Sequence, residues 1–150
     1  MSRLRGRMMS DESTLFGPDE DQQLIAVYQT LGRTLDDLPY TETFEQLYAA
    51  VGGEESEQIT RANVLRRLHN LRKAGKLPRL GRAASTPAKV DPEAEQRLEQ
   101  LTRESLGGLG RRDQLPYTET FDRIVNQVNS EVGMNLTPHD AWRVIARLAK

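Results

Sequence analysis

The sequence predicts an all-α fold built as a tandem repeat of two three-helix modules, and three observations lead there. The heptapeptide Leu-Pro-Tyr-Thr-Glu-Thr-Phe stands at residues 38–44 and again, unchanged, at 115–121. An ungapped alignment at an offset of 77 pairs residues 38–73 with 115–150 and finds 13 of 36 positions identical. Within each copy, apolar residues recur at i, i+3, i+4 and i+7, the period of a helix that buries one face. Upstream the offset falls to 74, and the additional residues of the second copy fit Leu106-Gly-Gly-Leu-Gly110, a loop composition.

Each copy reads as three helices. Pro18, followed by Asp19, Glu20 and Asp21, suits a helix start, where proline costs no hydrogen bond and carboxylates meet the positive end of the dipole. Leu24, Val27, Tyr28 and Leu31 then form a stripe that Gly32 ends. Asp91-Pro92-Glu93 opens the equivalent helix, with Leu98, Leu101 and Ser105 on its inner face. The second helices carry Phe44, Leu47, Tyr48 and Val51 in one copy and Phe121, Ile124, Val125 and Val128 in the other, with Thr41 and Thr118 as N-caps. The third helices open at Thr60 and Thr137, the latter followed by Pro138.

This places repeat 1 at 18–81 and repeat 2 at 92–150. Residues 82–91 form an Ala/Ser/Pro-rich flexible linker, and residues 1–17 a disordered N-terminus. Every residue of the heptapeptide has a folding job: Leu, Tyr and Phe anchor the corner between helices, Pro fixes the backbone and Thr caps. A peptide-binding or phosphorylation role for Tyr40-Thr41-Glu42-Thr43 is the alternative.

Composition narrows the function. There are no cysteines, so disulfides and thiolate chemistry are excluded. No apolar run reaches the ~18 residues of a membrane span. No secretory signal follows Arg3, Arg5 and Arg7, which favours a cytoplasmic location. His69 and His139 lack a second ligand at helical spacing, so no metal site is expected, and no cofactor motif or catalytic triad signature is present. The expectation is a protein that is not an enzyme.

Charge is more informative than its net value of −1. Residues 11–57 hold twelve acids and one base, Arg33, whereas residues 60–82 hold eight bases and no acid. On the third helix of repeat 1, Val64, Leu65, Leu68 and Leu71 form the inner face. Asn63, Arg66, Arg67, His69, Asn70 and Lys73 gather opposite. A face of one sign repels itself and points to a polyanionic partner. Arg66, Arg67, Asn70 and Lys73, with Asn63, suit a DNA major groove, and Arg61, Arg72, Lys76, Arg79 and Arg82 suit its phosphates. On the second copy Arg143, Arg147 and Lys150 face outward, and Trp142 belongs to the core.

The stretch Leu71-Arg-Lys-Ala-Gly-Lys-Leu-Pro-Arg-Leu-Gly-Arg82 resembles the end of a winged helix-turn-helix domain. That resemblance covers residues 60–82 and implies a recognition helix leading through a glycine into a short basic β-wing. The leading expectation is therefore a regulatory protein that binds DNA or RNA through the third helix of repeat 1. The alternative is a tandem protein–protein interaction adaptor, in which the acidic block attracts a basic protein partner and the shared heptapeptide shapes a groove. Location discriminates: a concentrated positive face favours nucleic acid, an exposed apolar groove favours the adaptor.

Overall fold

The computed structural model describes residues 17–80 and 89–149. It is all-α, with α1 Pro18–Leu31, α2 Glu42–Ala50 and α3 Arg61–Lys73 in an N-terminal half and α4 Pro92–Leu106, α5 Glu119–Val132 and α6 Pro138–Leu148 in a C-terminal half. Residues 1–16 of the expected disordered N-terminus and residues 82–88 of the expected flexible linker lie outside the described residues, whereas Gly17 is the N-cap of α1. No described helix is long and apolar enough to cross a membrane.

The expected caps form. Thr41, Thr60, Thr118 and Thr137 each accept a hydrogen bond on the side-chain oxygen from a backbone N–H in the first turn of the following helix. Gly32, Gly107 and Gly133 close α1, α4 and α5 in the left-handed conformation. On α4 the inner face differs from expectation: Ser105 is exposed, and Ala94 and Thr102 are buried with Leu98 and Leu101. Thr102 satisfies its hydroxyl by donating to the Leu98 carbonyl at 2.8 Å.

Among the described residues there is no strand, so the β-wing is corrected. After α3 the Gly75 N–H donates to Arg72 O and the Lys76 N–H to Leu71 O, which seals the helix end. Leu77 and Leu80 then fold back onto the N-terminal core, and Pro78 between them has no N–H for a ladder.

Each half has its own apolar core, and the heptapeptides join the two. Leu38 and Leu115 are buried at the corners, as expected. Tyr40 and Tyr117 do more: Tyr40 packs against the core of the C-terminal half and Tyr117 against that of the N-terminal half. Their rings lie 4.3 Å apart, and each backbone N–H donates to the other's phenolic oxygen at 2.5 Å. Tyr117 also stacks on Phe44 at 5.1 Å, while Tyr40 meets Phe121 at 5.8 Å. Both tyrosines have positive φ, 66° and 64°, a conformation that costs a non-glycine residue about 1–2 kcal/mol. The exchanged hydrogen bonds and rings hold that backbone in place.

The third helices complete the junction. α3 packs on the turn Leu109–Gln114, and α6 on the turn Leu35–Asp37. Helix faces that look outward in either module alone are covered by the other.

One glycine has a steric role. A Cβ on Gly53 would come within 2.2 Å of the Tyr48 ring, whose hydroxyl donates to Ile59 O at 2.8 Å. Gly53→Ala should cost about 1–3 kcal/mol by displacing that ring, read from the midpoint of urea unfolding at unchanged slope.

Candidate functional site

The basic third helix is the place to begin, because the sequence puts most of the candidate residues there. Its inner face is as expected, with Val64, Leu65, Leu68 and Leu71 buried. Its outer face is occupied. Arg67 makes a two-pronged ion pair with Asp21 of α1, its Nε 2.8 Å from Oδ1. Arg72 meets Asp36 at 3.1 Å, and Lys73 reaches Asp113 of the other half at 3.5 Å. Arg61 holds both oxygens of Glu45, closest at 2.8 Å, which raises the Arg61 pKa. Asn63 is partly buried, its backbone N–H capped by Thr60, and Arg66 and Asn70 are partly buried as well. Lys76 and Arg79 are exposed, and Arg82 lies outside the described residues.

The charge segregation in the sequence is thus interleaved by folding. Residues 60–82 contain no acid, so a partner search along the helix finds none. The counter-ions arrive from α1, α2 and the two turns, 16 to 46 positions away in the chain.

Two residues expected to face outward are buried, and a carboxylate is buried with them. His69 is 2% exposed and lies edge-on to Trp142, ring centroids 5.6 Å apart at 79°. Arg143 is 8% exposed and donates from Nη1 to Asp37 Oδ1 at 2.8 Å. Asp37 is wholly buried and also accepts from Arg33 Nε at 3.1 Å and His139 Nε2 at 2.9 Å. A carboxylate of one half therefore collects donors from both. Trp142 is buried, as expected, and Arg147 is exposed and pairs with Glu95.

Burial, with the nearby cations Arg72, Arg112 and Lys73 as lesser causes, lowers the His69 pKa from 6.5 to about 3. His69 is therefore neutral near neutral pH. In the unfolded chain it protonates first as pH falls, so its contribution to stability is present above pH ~6.5 and is lost between there and pH ~3. The loss between pH 7 and 5 is about 2 kcal/mol. Urea unfolding at the two pH values should show this difference in the native chain and lack it in His69→Leu.

A second region emerges where the halves meet. A groove of about 870 Å³ opens beside the tyrosine pair. Tyr40, Tyr117, Tyr48 and Ile59 form its walls, and Glu54, Glu57 and Asp122 its exposed acidic rim. Arg61 lies within it, its guanidinium carbon 4.5 Å from the centre of the Tyr48 ring. Burial raises the pKa of Tyr40 to about 12 and raises that of Tyr117 further, so both phenols are neutral. Such walls offer aromatic faces, and the rim offers negative charge.

The adaptor alternative expected the heptapeptide to shape a groove, but not that both copies and the loop after α2 would build a single one. The repeated tyrosine was its one visible sign. Comparison with protein-family models, curated proteins and solved structures returns no match. Functional inference rests on the geometry of the chain.

Proposed function

We propose that this protein is a non-enzymatic protein-interaction adaptor whose binding surface is the groove at the junction of its two halves. The observation that carries this reading is the joint construction of an aromatic-walled groove by Tyr40 and Tyr117, one from each heptapeptide. Neither half supplies that surface alone. An exposed groove with apolar walls is the usual form of a recognition site.

The nucleic-acid reading of α3 has less support. Arg61, Arg67, Arg72 and Lys73 are engaged with carboxylates of the same chain. A phosphate backbone would have to compete with Glu45, Asp21, Asp36 and Asp113. Lys76 and Arg79 remain exposed, so weak, salt-sensitive attraction to duplex DNA is compatible with the surface.

A photo-crosslinking amino acid at Ile59 in the groove, with one at Arg147 on α6 as control, tests the proposal in cells. A discrete protein adduct at position 59 alone, reproduced with the purified partner, supports it. Adducts to nucleic acid, or equal adducts at both positions, overturn it. Duplex DNA titration at two salt concentrations should give no salt-resistant binding. If DNA does bind, Lys76→Glu/Arg79→Glu is the informative variant, since Arg67→Glu would set a second carboxylate against Asp21.

A further inference from the structure

Resting on the reading of the groove as the binding surface, we infer that its occupant is an arginine or lysine side chain from a basic segment of a partner protein. The chain itself shows the chemistry. Arg61 lays its guanidinium over Tyr48 while Glu45 takes its charge, a cation held between an aromatic face and a carboxylate. Arg61 is the one cationic residue among those lining the groove, and Glu45 neutralises it.

The rest of the lining offers the same two kinds of group, aromatic rings and carboxylates, and no further cationic residue. The Tyr40 and Tyr117 rings provide neutral aromatic surface, along which the apolar stem of a long basic side chain can lie. Glu54, Glu57 and Asp122 line the same groove as three carboxylates and form no ion pair among the described residues. Their field attracts a basic partner from a distance. An acidic or phosphorylated segment meets repulsion here. A wholly apolar one strips water from three carboxylates and returns nothing for it.

The test uses the full-length chain, isotope-labelled for amide NMR, and three nonapeptides that alternate glycine with arginine, glutamate or leucine. The arginine peptide should produce saturable shifts at the amides of Tyr48, Gly53 to Ile59 and Tyr117 to Asp122. The variant Glu54→Gln/Glu57→Gln/Asp122→Asn should weaken it at least tenfold with an unchanged circular dichroism spectrum. Shifts spread over the acidic start of α1, and indifferent to that variant, would mean general attraction and overturn the inference. Seating of the leucine or glutamate peptide in preference would overturn the choice of a cation but leave the groove as the binding surface. Absence of groove shifts with every peptide also overturns it, and the crosslink at position 59 then decides the groove reading separately.

Discussion

Replacing Asp37 with alanine should cost about 3–5 kcal/mol of stability, the usual loss when one member of a buried ion pair is removed. The carboxylate is wholly buried and accepts from Arg33, Arg143 and His139. Two of those donors belong to the other half, so its removal should loosen the junction as well as the turn that carries it. Asp36 is the natural comparison. Its partner Arg72 is 36% exposed, so water screens that pair more than the buried one and Asp36→Ala should cost less than Asp37→Ala. Urea unfolding followed by Trp142 fluorescence measures both. Arg143→Ala and Asp37→Ala combined should fall short of the sum of the single effects, because the two side chains share one contact.

The tyrosine exchange carries the second large effect. In Tyr40→Phe the Tyr117 N–H loses its acceptor, and in Tyr117→Phe the reverse holds. Each N–H sits at a backbone of positive φ that this bond helps to hold. Each single substitution should cost about 1–3 kcal/mol, the penalty of an unmade buried hydrogen bond, and the pair about 2–5 kcal/mol. The rings remain in both variants, so stacking on Phe44 and contact with Phe121 survive and the secondary structure should be unchanged by circular dichroism. Equal losses from the two single substitutions would reflect the matched geometry; a loss confined to one would show that the two bonds are not equivalent.

Much of the fold was legible in the sequence because it is local. Helical period, threonine caps, Pro18, Pro92 and Pro138 at helix starts and the glycine stops depend on neighbours a few positions away. The faces of α3 and α6 were read less well, for one reason. A helical wheel assigns an outer face by assuming that a module stands alone, whereas His69 meets Trp142 and Arg143 meets Asp37 across the junction. The single-sign charge of residues 60–82 misled in the same way. Within a helix it looks unbalanced, yet Asp21, Asp36, Glu45 and Asp113 supply the missing charge from elsewhere. The heptapeptide was read as a corner piece, which Leu38 and Leu115 are. Its tyrosines reach across to the other half, and nothing in a single copy could show that they would meet each other.

The docking of the two halves underlies the buried Asp37, the exchanged tyrosines and the groove between them. It is tested most directly by equilibrium urea unfolding of the full chain with two probes. Fluorescence of Trp142, the only tryptophan, reports the C-terminal half where it meets His69 of the other, and far-UV circular dichroism reports the helices of both halves. Docked halves should melt together, giving one transition with coincident midpoints and slopes for both probes. Two separated transitions, with helix lost in one step before Trp142 responds, would contradict a unit held together across the junction.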